Sequence, residues 1–186
     1  GERGPVYEYA GALLSHFAVF HLPADTQMLI VAQKRQPWEW FVQLPHCGGN
    51  EGNYCFLDDT ADEEEALWLQ ENEETALSRV LESVRRTLSQ RKLQMEEQDE
   101  NKSGAGDAAA AALPFLLLVV DLLDAAYSAD SPLRDIESEA ALSLLFDAGT
   151  TLGAAVIFLT PDRSKVPSRV GAVVEVERTA PPANRD

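Results

Sequence analysis

Cysteine is scarce. Only Cys47 and Cys55 occur in 186 residues, too few for the disulfide framework of a small secreted domain and in keeping with a reducing compartment. Positive charge is short as well: 15 Lys and Arg against 31 Asp and Glu leave a net charge of −16, which repels a phosphate backbone or an anionic membrane and argues against autonomous nucleic-acid binding. Long apolar runs are missing. The longest, Ala108 to Val120, contains Pro114 and stops at Asp121, short of the roughly 20 residues a membrane-crossing helix needs. The chain opens without an initiator Met, a basic flank or an apolar leader, so no signal peptide is read, and Gly1 looks like the edge of a soluble piece of a longer chain. What is present is ordinary for a globular protein: 45% hydrophobic and 25% charged residues exclude collagen-like, mucin-like and wholly disordered chains, and the length suits one domain with one sizeable core. No internal repeat is visible.

The apolar spacing predicts an alternation of helices and strands. Ala10, Leu13, Leu14, Phe17, Ala18 and Phe20 fall mostly on one face of a helix over Tyr7 to His21, closed by Pro23. Gln27 to Ala32 reads as a strand covered on both faces, Trp38 to Val42 as about one helical turn, and Tyr54 to Leu57 as a short strand after the glycines at 48, 49 and 52. Thr60 with Glu63 makes a capping box for a helix through Leu69. A second, longer helix follows on Leu77, Val80, Leu81, Val84 and Leu88, with acids at its start and Arg and Lys toward its end. From 96 to about 112 the chain turns polar and then alanine-rich, the composition of a flexible insertion. Phe115 to Asp121 and Ala154 to Thr160 are buried strands, Leu133 to Ala148 a helix with Gly149 as its C-cap, and Val170 to Val176 a further strand. The expected fold is α/β: a three-layer sandwich with a mainly parallel sheet in a single domain over 1–178, with 179–186 as a linker tail.

Two places invite chemistry. The opening Gly1-Glu2-Arg3-Gly4-Pro5-Val6-Tyr7-Glu8 runs into the first helix where a phosphate loop GxxxxGK[ST] would stand. With Gly1 on the first glycine, the second falls on Val6, the Lys on Tyr7 and the Ser/Thr on Glu8, so the phosphate-binding cation is lost and an acid faces the phosphate's place. The plain alternative is an ordinary helix start. The strand ending at Asp121 has the form of a Walker B strand, whose acid supports magnesium and whose following Glu polarises the attacking water. Here Leu122 follows and Asp124 comes too late, so both positions read as vestigial, and Asp121 serves equally as an acid ending a strand. His46, Cys47 and Cys55, with His16 or His21 as a fourth ligand, match no common zinc spacing, so no metal site is expected. A Cys47 nucleophile beside His46 lacks an orienting acid. Trp38 and Trp40, two residues apart, are candidates for packing against the sheet or for a partner surface, together with Leu44, Pro45 and His46.

The order of these segments, with "HLPADTQMLIVAQ", "WEWFVQLPH", "PFLLLVVD" and "GAAVIFLT", resembles the FtsK/SpoIIIE-type ATPases of type VII secretion systems, the EccC/EssC coupling proteins. The specific part is the block of Trp38, Trp40 and Leu44 to His46; the strands would fit any α/β domain. The resemblance implies a P-loop-NTPase-like fold and a parent protein that binds ATP and Mg, anchored to the membrane with its ATPase domains on the cytoplasmic face. For this domain, whose phosphate-loop and Walker B positions have lost their chemistry, it implies no catalytic residue and no cofactor: a non-catalytic module in contact with neighbouring ATPase domains, secretion-system subunits or small helical-hairpin export substrates. The alternative is an active ATP-binding domain of such a translocase.

Overall fold

The computed structural model describes residues 3–48, 51–58, 63–101, 113–125 and 131–177, without the side chains of 51, 63–75 and 98–101. Helix α1 (Gly4–Phe20) starts with a proline in its first turn, where the missing N–H costs nothing, and ends at an extended His21. It leads into β1 (Thr26–Ala32), followed by a 3-10 turn at 36–38, a single turn α2 (Glu39–Val42), and the short strand β2 (Tyr54–Phe56). The long helix α3 (Glu63–Asn101) precedes β3 (Phe115–Asp121); α4 (Ala140–Ala148) then leads to β4 (Ala154–Leu159).

The four strands form an all-parallel sheet in the order β2-β1-β3-β4. β1 and β3 lie in the middle, with Thr26 opposite Phe115 and Ala32 opposite Asp121. Alternate side chains enter two cores. Leu29, Val31, Leu116, Leu118 and Val120 meet α3 and α4 on one face, while Met28, Ile30, Leu117 and Val119 meet α1, Trp38 and Phe41 on the other. This is why the central strands read as continuous apolar runs: both faces of each are covered. Arg91 of α3 is also buried, and its guanidinium donates to the carbonyls of Leu152, Gly153 and Pro114. It thereby ties the helix to the segments entering β4 and β3.

Four expectations are corrected. The stretch from Glu63 to Asn101 is one helix of 39 residues, not two, because no Gly or Pro interrupts its Glu, Gln, Leu and Arg. For the same reason the helix continues through 96–101, where the flexible insertion was expected to begin; the remaining insertion, 102–112, lies outside the described residues, as do Thr60 and the tail from 178. The segment 132–138 is 3-10 with a kink at Asp135, and Glu139 is extended, so α-helix begins only at Ala140. Val170 to Val176 forms no strand. It leaves the sheet as exposed chain, with Arg163 3.4 Å from Glu175 and Arg169 paired with Asp147, and alternation without a neighbouring edge makes no ladder. Gly149 is the C-cap of α4 as expected, its N–H donating to the Leu145 carbonyl, but with right-handed helical angles. A Cβ there would run into the Leu145 carbonyl and lie 3.1 Å from that of Ala154, so glycine serves close approach.

Candidate functional site at the end of β3

In an open parallel sheet, ligands bind outside the carboxyl ends of the strands where successive connections part to opposite faces. Here that point lies between β1 and β3. The connection from β1 to β2 places Trp38 and Phe41 in one core, and the connection from β3 to β4 places Leu133, Leu142 and Leu145 in the other. Asp121, the last residue of β3, stands at this point, and so does the start of α1.

Asp121 is only 3% exposed. One carboxylate oxygen, Oδ2, accepts the indole N–H of Trp38 at 2.8 Å, and the other, Oδ1, accepts the backbone N–H of Leu123 at 2.9 Å. The Tyr7 hydroxyl is a third donor to the same carboxylate. Tyr7 and Trp38 meet edge to face, ring centres 5.9 Å apart. Burial pushes the Asp121 carboxyl above the usual carboxylate range, opposed by the Leu123, Trp38 and Tyr7 hydrogen bonds and by the charge of Arg3. The Tyr7 phenol is pushed well up, first by burial and then by the charge and hydrogen bond of Asp121, so it keeps its proton and remains a donor.

The nearby cations are engaged too. Arg3, the residue before α1, pairs with Asp124 just beyond β3, and Lys34 Nζ lies 3.5 Å from the same carboxylate. On the β1 side, the Ser131 hydroxyl donates to Gln33 Oε1 at 2.9 Å and Gln33 Nε2 donates to Asp58 at 2.6 Å. A depression of about 160 Å³ near this end of the sheet is lined by Leu122, Arg134, Ile136 and Lys165 and does not include Asp121; drug-sized ligand pockets run to roughly 300–1,000 Å³.

The residues singled out in the sequence are thus placed as follows. Gly1 is outside the described residues. Gly4 opens α1, Tyr7 turns inward to Asp121, Glu8 is exposed, and Leu122 is buried. Trp38 is buried on Asp121, whereas Trp40 is half-buried and donates only to the Pro37 carbonyl at 3.1 Å. Leu44 is half-buried and Pro45 exposed. His46 is buried, and its Nε2 donates to the His21 carbonyl at 2.8 Å, tying the Leu-Pro-His turn to the end of α1. His46, Cys47 and Cys55 do not converge, because Cys47 packs in the core on the α1 face and Cys55 in the core on the α3 face. Burial pushes the Cys47 thiol up to about 12. The sequence reading did not find the cage of Trp38, Tyr7 and Leu123 around Asp121. Its only trace was that an aromatic donor, Tyr7, stands at the position where a phosphate loop has its Lys.

No protein-family model matches the chain, and no curated protein matches it. Among solved structures it is similar to EssC (ATPases 2 and 3) from Geobacillus thermodenitrificans, at 19% sequence identity with a TM-score of 0.54, over 84% of this chain and 26% of that one. The chain therefore has the α/β fold of an ATPase-domain neighbour and spans about a quarter of that neighbour's length.

Proposed function

We propose that the chain is a module of an FtsK/SpoIIIE-type secretion ATPase that has given up nucleotide chemistry and acts through contacts with neighbouring domains. The observation that carries this reading is the cage around Asp121. Magnesium needs carboxylate lone pairs in a near-octahedral oxygen shell, and both oxygens of Asp121 already accept fixed donors on a side chain that is almost wholly buried. The residues present do not fit Mg–ATP in other respects. Tyr7 offers no fixed positive charge, Arg3 is committed to Asp124, and Leu122 stands where a water-polarising Glu would be. The shared fold with EssC ATPase domains and the Trp38, Trp40 and Leu-Pro-His block support the family reading. On that reading the parent binds ATP and Mg in other domains, is anchored to a membrane with this module on the cytoplasmic face, and contacts secretion subunits or helical-hairpin export substrates.

Calorimetric titration with Mg–ATP tests the proposal. No heat of binding is expected at millimolar nucleotide. A dissociation constant below about 100 μM, lost in both Asp121→Ala and the better-packed Asp121→Asn, would establish instead an active nucleotide-binding domain.

A further inference from the structure

The depression of about 160 Å³ lies where the chain leaves β3 and β4. Its lining is apolar at the base. Leu122, just past β3, is buried and donates its N–H to the Leu159 carbonyl at the end of β4; Ile136 is buried beside it, and Val166 and Pro167 complete the apolar part. The rim carries charge. Arg134 and Lys165 both line the depression, both are exposed, and among the described residues neither has an acid within pairing distance. The sequence offers 31 acids to 15 bases, and Arg3, Lys34, Arg85, Arg163 and Arg169 each hold one. Two cations left without a counter-charge at one depression, in a chain so rich in acids, are open to an anion from outside.

We propose that this depression binds a carboxylate carried on a short aliphatic body, the head at Arg134 and Lys165 and the body on Leu122, Ile136 and Val166. The volume is close to that of an apolar cavity of roughly 150 Å³ that takes benzene, which leaves room for about six carbon atoms. The charge of the head follows from the rest of the rim. Glu137 also lines the depression and is exposed, so the two cations and one acid leave a single net positive charge, which suits a monoanion better than a phosphate dianion. Neutral donors for a third oxygen are missing too, because the Ser164 hydroxyl and N–H both donate to Asp162 Oδ1, at 2.5 and 2.8 Å. A guanidinium fork matches the two oxygens of a carboxylate. The position, outside the carboxyl ends of parallel strands, is where such sheets take ligands. A free small acid and the terminal carboxylate of a peptide ending in an aliphatic residue share this chemistry. Asp121 takes no part, so the inference stands apart from the loss of nucleotide chemistry.

Titration of the whole isotope-labelled chain with isocaproate, followed by NMR, tests it. Saturable shifts of the Leu122, Ile136 and Val166 amides are expected, with a dissociation constant of about 1 mM or tighter. Isocaproamide, the neutral isostere, gives up the attraction of both cations and should bind at least about tenfold more weakly; acetate, which lacks the body, should do the same. Arg134→Gln and Lys165→Gln, both at exposed positions, should each weaken isocaproate about threefold or more while leaving the circular dichroism spectrum intact, and Arg86→Gln on α3 should not. An acetylated tripeptide ending in leucine with a free carboxyl terminus separates the two sources: tighter binding than isocaproate assigns the site to the end of a peptide, and binding no tighter assigns it to a small acid. No saturable shift, an amide or acetate that binds as well as isocaproate, or indifference to both substitutions would overturn the proposal.

Discussion

Replacing Trp38 by Phe removes one N–H from the Asp121 cage while keeping an aromatic ring in the core. In the native protein that N–H lies 2.8 Å from Oδ2 of a carboxylate that is 3% exposed, so water does not replace it. A hydrogen bond to a charged group contributes about 1.5–3 kcal/mol, and the lost part of the indole adds about 1 kcal/mol of cavity, for an expected destabilisation of about 2.5–4 kcal/mol. Trp40→Phe is the internal control. Its indole donates to a neutral carbonyl at 3.1 Å from a half-buried site, so the cost should be about 1 kcal/mol. Urea unfolding of both variants reads the difference. The pH dependence adds a second check with a definite sign. Burial raises the Asp121 carboxyl in the folded state, so its contribution to stability is fully present below the unfolded carboxylate range and is lost as pH rises through the folded value. Stripping one donor raises the folded value further, and the loss in Trp38→Phe should extend to higher pH than in the native protein. Equal costs for the two tryptophans, or parallel pH profiles for native and variant, would refute the cage as the reason Trp38 is there.

Three further outcomes are expected. Arg91→Met should cost about 3 kcal/mol in chemical unfolding, because the Leu152 and Pro114 carbonyls at the starts of β4 and β3 lose the guanidinium donor, while the Gly153 carbonyl keeps only the Leu116 N–H. Gly149→Ala should cost about 1–3 kcal/mol through collision with the Leu145 carbonyl, and a thermal melt within a degree of the native one would contradict the close approach. With its thiol pushed up to about 12, Cys47 should be about one ten-thousandth thiolate at pH 8. It should resist a thiol reagent until denaturant is added, and fast labelling of the native protein would speak against the burial.

The fold was largely legible because parallel strands covered on both faces leave an unmistakable trace. Gln27 to Ala32, Phe115 to Asp121 and Ala154 to Thr160 are apolar runs whose type and near-limits follow from the sequence, and the observed β1, β3 and β4 agree within a residue. Reading failed where structure depends on a neighbour or on local competition. Val170 to Val176 alternates like a strand but has no edge beside it, and 132–138 has helical spacing but winds as 3-10.

The candidate site divides the same way. That a phosphate loop aligned on Gly1 would meet Tyr7 and Glu8 in place of Lys and Ser/Thr, and that Leu122 follows Asp121, is a property of the sequence alone, since residue identities are fixed before folding. How these residues are placed was decided by tertiary structure. Tyr7, Trp38 and Asp121 are separated by 31 and 83 residues along the chain, and they meet only because β1 and β3 pair in register and α1 begins at the strands' carboxyl ends. Hydrogen bonds act over about 3 Å, so a contact of that kind between distant segments exists only once the sheet has fixed where each of them ends.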